Sequence, residues 1–219
     1  MPQATIFRWP SGLGWLVLSG GGPLDSDDNT SIEAAVLTRT VSQGPLAYIW
    51  AASDLESADR HMDLLSDLGA RTGYLVDVLT EDDSTLFRQL SEAGIIILGD
   101  GPRQETLRDA LAGSALRGIE EAFVQGATIY AVGASATLLG AYVVEDGELK
   151  PGYRWLEHAA ILPGYTAERA EFLHGVVQQV PDGYGLGLGH GAALAFGPLG
   201  EVEVWGNQAI TITLGKNYA

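Results

Sequence analysis

The chain has 219 residues, a formal net charge of −16 and no cysteine, and these facts narrow the classes of protein it can belong to. Nucleic acids and anionic membranes bind cationic surfaces, so the acidity argues against both as partners. Without cysteine there is no disulfide, no thiolate nucleophile and no cysteine-ligated zinc. The four histidines stand in no metal-binding spacing, so we expect neither a metal nor a cofactor.

The sequence contains no apolar run of the ~20 residues that a membrane helix needs and no basic-then-apolar signal segment. It also shows no internal repeat and no low-complexity linker. We therefore expect a single domain spanning residues 1–219 and located in the cytoplasm.

The first half of the chain alternates apolar runs with amphipathic ones. The apolar, β-rich runs stand at residues 15–19, 46–51, 74–79 and 95–98. Helical patterns stand at residues 32–41, 57–68, 81–94, 105–111 and 116–124. We expect His61, on the second of these helices, at the surface or at the edge of the core. The alternation predicts an α/β fold with a doubly wound, mostly parallel sheet.

A further strand, predicted at residues 127–132, leads into a corner of small residues. Gly133 and Ala134 come first, Ser135 follows, and a helix-compatible run resumes at Ala136. This pattern fits a nucleophile elbow, a strained strand-to-helix turn that lifts a serine hydroxyl above the sheet. In that arrangement the N–H of Ala136 hydrogen-bonds a developing oxyanion. An ordinary βα turn made of small residues is the alternative interpretation.

Two glycine-containing turns are expected on the same edge of the sheet as Ser135. Residues 20–22 are all glycine and follow the first strand, and Gly99 follows the strand at 95–98. Ligands of open α/β sheets bind beyond the carboxyl ends of the parallel strands, so this convergence predicts a functional site. The glycines form neither a dinucleotide-binding fingerprint nor a P-loop, and we expect no nucleotide.

Beyond residue 140 the pattern changes to shorter elements. A hairpin is predicted at residues 142–149 around Asp146 and Gly147, followed by a strand at 155–162. An amphipathic helix capped by Thr166 is predicted at residues 166–177. Glycines break up the apolar runs that follow, and we expect these runs to extend the sheet as antiparallel edge strands.

In their order and spacing, these motifs resemble the serine peptidase family that contains cyanophycinase and aspartyl dipeptidase E. The matching segments cover nearly the whole chain and stand at residues 19–22, 51–53, 98–104, 133–137, 162–165, 185–194 and 202–206. The resemblance implies a flavodoxin-like fold, similar to that of class I glutamine amidotransferases. It also implies a peptide or a small acyl or amide substrate, and it is compatible with a homodimer.

The resemblance assigns roles to particular residues. Ser135 is the nucleophile, and the oxyanion groups are the backbone of Gly99, Asp100 and Gly101 together with Ala136. The positions that match pocket residues are Gly21, Gly22, Arg103, Gln104, Gly164 and Tyr165. The family acts on aspartyl peptides, and Arg103 and Arg169 are the candidates here for contacting a substrate carboxylate.

The chain departs from the family at the residues that would carry catalysis. The place of the family's histidine is held by Gly164 or, with a shift of one, by Tyr165, and the segment at 185–190 lacks the family's acids. Asp100 stands where a glycine usually helps to form the oxyanion hole, and Thr137 replaces the elbow glycine. Because a serine hydroxyl needs a base within hydrogen-bond distance, the family mechanism does not transfer directly.

Two hypotheses follow. In the first, the chain is a serine hydrolase with relocated machinery, in which Ser135 attacks an acyl carbon and His190 is the base, with His158 as the second candidate. In the second, the chain is a non-catalytic relative that serves as a ligand-binding or assembly module, which accounts for all of the departures together. Glutamine amidotransfer is discarded because it needs a cysteine at the elbow, and the chain has none.

Overall fold

The computed structural model describes residues 6–145, 147–206 and 209–218, which form two β-sheets with helices packed against them. The strands are β1 (Leu16–Ser19), β2 (Leu46–Ile49), β3 (Gly73–Val76), β4 (Ile95–Leu98), β5 (Thr128–Val132), β6 (Gly140–Glu145), β7 (Glu148–Pro151), β8 (Leu156–Pro163), β9 (Tyr184–Leu188), β10 (Ala192–Phe196), β11 (Val202–Gly206) and β12 (Ile210–Leu214). The α-helices are α1 (Asp27–Arg39), α2 (Leu55–Asp67), α3 (Asp83–Ser91), α4 (Gln104–Leu111), α5 (Ser114–Val124) and α6 (Ala170–Gln179). Two 3₁₀ helices, Gly133–Leu139 and Ala167–Arg169, complete the described elements.

The larger sheet has seven strands in the order β11-β10-β1-β5-β4-β2-β3. The five strands from β1 to β3 in that order are parallel, while β10 and β11 pair antiparallel at one edge. This arrangement confirms the predicted α/β class, a mostly parallel sheet with antiparallel edge strands. Strands such as β4, whose four residues are all buried, have the continuous apolar sequence of a strand covered on both faces.

Alternate side chains of the parallel strands enter two separate cores. On β1, Leu16 and Leu18 pack into one cluster with residues of α3, α4 and α5, whereas Val17 packs into the other with residues of α1 and α2. This alternation follows from the two-residue repeat of a β-strand. Helices therefore cover both faces of the sheet, as the doubly wound prediction requires.

The second sheet has five strands in the order β12-β9-β8-β6-β7, and the sequence did not predict it as a separate sheet. We expected all of the late strands to extend the first sheet, but only β10 and β11 do so. Strands β9 and β12 instead join β8, which runs parallel to both β6 and β9. The sequence pattern predicts that a segment is extended, but the partner of a strand depends on distant segments.

Two local predictions need correction, and a third lies partly outside the described residues. A helix follows β5 as predicted, but it is a short 3₁₀ helix, Gly133–Leu139, which begins before the predicted start at Ala136. Thr166 makes no side-chain hydrogen bond to a helix N-terminus, so its predicted capping role is wrong. The predicted hairpin is present as antiparallel β6 and β7, although Asp146 at its turn lies outside the described residues. Among the described helices, none is both long enough and apolar enough to cross a membrane.

Candidate functional site

Several loops meet at the carboxyl ends of the parallel strands, and we call this surface the rim. It comprises residues 20–22, 99–101, 133–134, 164 and 190. The strand ends are aligned, since Ser19 pairs with Val132 and Leu98 with Ala131. Backbone hydrogen bonds join the loops, from the Gly164 N–H to the Gly20 oxygen at 3.1 Å and from the Gly191 N–H to the Gly21 oxygen at 2.9 Å. The predicted convergence of the glycine turns is therefore present.

The sharp corner after β5 is at Gly133, not at Ser135. Gly133 has a φ of 56°, whereas Arg154 and His158 are the only described non-glycine residues with positive φ. The left-handed conformation costs a residue with a Cβ about 1–2 kcal/mol, which explains why a glycine occupies the bend. The prediction that Ser135 occupies a strained elbow is therefore wrong by two residues.

Ser135 lies inside the 3₁₀ helix with 0% of its surface exposed. Its hydroxyl donates a hydrogen bond to the carbonyl oxygen of Gly99, and no described imidazole hydrogen-bonds to it. Ala136, the predicted oxyanion donor, is also 0% exposed. Neither residue is accessible to a ligand that binds on the rim in this conformation.

The carboxylate of Asp100 occupies the space beside the corner. Its Oδ1 accepts hydrogen bonds from the N–H of Gly101 and the N–H of Ala134, each at 2.8 Å. A Cβ placed on Gly133 would lie only 2.2 Å from Asp100 Cγ and Oδ2. In a nucleophile elbow, the N–H after the nucleophile and an N–H from a neighbouring strand's loop form the oxyanion hole. Here the equivalent pair of donors holds the protein's own carboxylate.

The imidazole of His190 packs over two glycines of the rim, Gly22 and Gly164. A Cβ on Gly164 would lie 3.0 Å from His190 Cε1 and 3.2 Å from its Nε2, and a Cβ on Gly22 would lie 3.1 Å from His190 Cβ. Gly164 itself has a φ of 56°. The His190 side chain is exposed and, among the described residues, makes no hydrogen bond and no ion pair with Asp100. It is therefore at the rim but is not paired with Ser135.

The ring of His158, the second candidate base, packs against Tyr218, with the ring centroids 6.2 Å apart. This histidine is near the start of β8, and among the described residues it makes no hydrogen bond to Ser135, whose hydroxyl donates to the Gly99 oxygen. His158 has a φ of 63°, where β6 and β8 change register. The structure therefore does not bring His158 together with Ser135.

The remaining predicted pocket residues mainly make structural contacts. The side-chain amide of Gln104 donates a hydrogen bond to the hydroxyl of Thr137. The Tyr165 ring covers Gly187, where an added Cβ would lie 2.6 Å from the ring. Arg169 donates hydrogen bonds to the carbonyl oxygens of Pro163 and Gly164 at 2.8 and 3.2 Å. The exposed Arg103 is anchored by its backbone N–H, which bonds the Ala52 oxygen at 3.0 Å.

A buried polar network beneath the rim was missed by the sequence reasoning. His61 Nδ1 lies 3.0 Å from the Tyr48 hydroxyl, and His61 Nε2 lies 2.7 Å from Glu33 Oε1. The prediction of a surface or core-edge His61 is wrong, since this side chain is buried with Ala58 and Leu65 on one face of α2. The spacing of three residues from Ala58 and four from Leu65 already places His61 on the same helix face as these apolar residues.

The network approaches the rim through Tyr48. A Cβ on Gly99 would lie 2.6 Å from the Tyr48 hydroxyl oxygen, so the phenol lies directly under the loop that carries Asp100. Burial raises the pKa of Tyr48 far above its usual value, and the charges of Asp100 and Glu33 raise it further. The Tyr48 phenol therefore stays protonated and serves as a hydrogen-bonding group rather than as a phenolate nucleophile.

The fold is that of peptidase E-like α/β proteins, as comparison with solved structures shows. A peptidase from an acI-B1 actinobacterium superposes with a TM-score of 0.76 at 18% identity, covering 93% of this chain and 91% of that one. A candidate peptidase E protein from Listeria monocytogenes EGD-e gives a TM-score of 0.66 at 14% identity, covering 89% and 99%. No family model and no curated protein sequence matches the chain. The likeness confirms the fold that the sequence resemblance implied.

Proposed function

We propose that this chain is a non-catalytic relative of the peptidases whose fold it shares, and that its rim binds a small ligand without cleaving it. The observation that carries the proposal is the corner itself. Gly133 offers no nucleophile there, and the Asp100 carboxylate fills the space that a nucleophile's side chain would need. The net charge of −16 favours a small molecule or peptide over nucleic acid as the ligand.

A serine hydrolase built on Ser135 has less support. A serine nucleophile needs a base within about 3.2 Å, but the Ser135 hydroxyl is buried and donates to the Gly99 oxygen. The donors that would stabilise an oxyanion at the corner already bind a carboxylate. A second negative charge at the same place would be repelled by the first, so Asp100 opposes acyl transfer.

The test is a comparison of the unchanged chain with Ser135→Ala and His190→Ala in three assays. These are turnover of p-nitrophenyl acetate, cleavage of aspartyl dipeptides, and labelling by a fluorophosphonate probe, with an active serine hydrolase as the positive control. We expect no labelling, and rates at the buffer background for all three proteins. Turnover that disappears in Ser135→Ala would overturn the proposal and favour the hydrolase.

A further inference from the structure

The strongest unassigned feature is the pair of backbone donors that converge on Asp100. The Gly101 N–H comes from the loop after β4 and the Ala134 N–H from the residue after the β5 corner. Both lie 2.8 Å from the same carboxylate oxygen. Backbone N–H groups that converge in this way form anion-binding concavities, and hydrogen bonds to a charged acceptor are stronger than neutral ones. The geometry is thus that of an occupied carboxylate site.

Glycines wall the space around this carboxylate. A Cβ on Gly133 would lie 2.2 to 2.4 Å from Asp100 Cγ, Oδ2 and Oδ1. A Cβ on Gly21 would lie 3.0 Å from Gly133 Cα and 3.2 Å from Asp100 Oδ2. Removing the Asp100 side chain would therefore leave a slot of carboxylate size with its two N–H donors unpaired.

Asp100 is placed so that its side chain can leave this slot. The residue is exposed, and it stands between Gly99 and Gly101 in the loop after β4. Rotation about its Cα–Cβ bond would move the carboxylate into solvent while the backbone donors stay in place. Because the two donors are neutral and converge on one point, the slot accommodates one carboxylate at a time.

We infer that the slot formed by Gly101, Ala134, Gly21 and Gly133 is a carboxylate-binding site, and that Asp100 is its built-in competitor. The inference rests on the proposed function, since it names the chemical class of ligand that the rim binds. A group tethered beside its site competes at an effective concentration of millimolar or higher, on the order given for short linkers. Simple carboxylates should therefore bind weakly to the unchanged chain and much better once Asp100 is removed.

The experiment is chemical rescue of Asp100→Ala by acetate. This variant loses two charge-assisted hydrogen bonds and should melt below the unchanged chain. Sodium acetate should restore its melting temperature, whereas sodium chloride at the same ionic strength and neutral acetamide should not. In NMR spectra, the amide signals of Gly101 and Ala134 should shift saturably with acetate. The midpoint should be at least about tenfold lower in Asp100→Ala than in the unchanged chain.

Two variants serve as controls. Asp82→Ala also removes an exposed carboxylate that accepts two backbone N–H groups, from Ser84 at 3.0 Å and Thr85 at 3.1 Å. Those donors belong to the open N-terminus of α3 and are not enclosed by glycines as the slot is, so acetate should restore that variant less than Asp100→Ala and at a higher midpoint. Asp100→Asn keeps a neutral amide oxygen for the same two donors and is a weaker competitor than the carboxylate, so its acetate midpoint should lie between those of the unchanged chain and Asp100→Ala. Asp100→Gly repeats the rescue if Asp100→Ala does not fold.

Two results would overturn the inference. One is a folded Asp100→Ala or Asp100→Gly protein on which acetate acts no differently from chloride. The other is methylamine binding to the unchanged chain that disappears when Asp100 is replaced, which would make the ligand an amine held by Asp100. Turnover that depends on Ser135 would instead overturn the proposed function and leave the acetate result standing, so the two failures are distinguishable.

Discussion

Gly133 and Asp100 share one space, and this juxtaposition determines what the corner can do. An added Cβ at Gly133 would overlap the Asp100 carboxylate at 2.2 Å, well inside any van der Waals contact. The two residues are therefore coupled: a side chain at the corner and a carboxylate in the slot exclude each other. The absence of a side chain at position 133 and the presence of the internal carboxylate are two aspects of one packing arrangement.

We expect this coupling to appear in a double-mutant cycle measured by urea unfolding. Gly133→Ala alone should lower the free energy of unfolding by more than the roughly 1–2 kcal/mol of left-handed backbone strain, because the Cβ also displaces Asp100. In the Asp100→Ala background, the same Gly133→Ala change should cost only the backbone part. The two substitutions should therefore be non-additive.

Gly164→Ala is the matched control for that cycle. Gly164 has the same φ of 56°, but the atoms nearest its added Cβ belong to His190, at 3.0 Å and beyond. Its cost should therefore be the same with Asp100 or Ala at position 100. Additive effects of Gly133→Ala and Asp100→Ala would show that the carboxylate does not occupy the corner in solution.

The position of the corner could not be predicted from the sequence to within two residues. The run from Gly133 to Thr137 matches a Gly-x-Ser motif, and the motif match placed the bend at Ser135. The alternative alignment places a glycine at the bend, and steric preference alone favours it. Composition and hydrophobic pattern do not distinguish these registers, because both contain only small residues at the turn. The backbone angle of Gly133 decides between them.

At the scale of elements, the sequence predicted the first sheet better than the second. The parallel strands are apolar and alternate with amphipathic helices, so periodicity alone gives their type and order. Strands β8, β9 and β12 have equally clear extended patterns, yet they form a separate sheet with β6 and β7. The choice between two sheets depends on packing across the chain, which local patterns do not encode.

Helices α1 and α2 are joined by a buried pair that a single-segment analysis could not find. Glu33 on α1 and His61 on α2 are 28 residues apart in sequence, and their side chains are each 2% exposed. The spacing of His61 with Ala58 and Leu65 indicates the buried face of α2, but it does not identify Glu33 as the partner of His61. Only their juxtaposition, with Tyr48 on β2 as the third member, makes their burial favourable.

Removing the carboxylate of this pair should destabilise the protein strongly. Glu33→Ala leaves a buried imidazole nitrogen without its partner, and the free energy of unfolding should fall by about 1–3 kcal/mol in urea denaturation. Glu56→Ala, also involving α2, removes an exposed pair in which Glu56 is 3.6 Å from Arg60, and it should cost at most about 1 kcal/mol. Equal effects of the two substitutions would contradict a structural role for the buried network.

At the scale of the whole molecule, the net negative charge affects both the stability of the chain and its affinity for acetate. Acidic residues outnumber basic ones by 28 to 12. Such an excess makes the folded chain repel itself, and it also repels a free carboxylate ligand before short-range contacts form. Every salt therefore screens this repulsion. Acetate, under the proposed slot binding, also binds the chain.

General screening should itself raise the melting temperature. The Debye length falls from about 30 Å to about 3 Å between roughly 0.01 M and 1 M salt, so repulsion among surface carboxylates weakens. We expect sodium chloride to stabilise the unchanged chain progressively over this range in a thermal unfolding series at neutral pH. A decrease in melting temperature would mean that attractive ion pairs, rather than net repulsion, dominate the surface.

A variant with less negative charge separates this effect from specific binding. Asp59 and Asp63 are exposed on α2, and each replacement by Lys changes the charge by two, so the double variant moves the net charge from −16 to −12. Its response to chloride should be smaller than that of the unchanged chain, because less repulsion remains to be screened. Combined with Asp100→Ala, the same two replacements should leave the acetate rescue in place, since the slot donors are backbone N–H groups. Loss of the rescue in this background would show that acetate acted by screening alone.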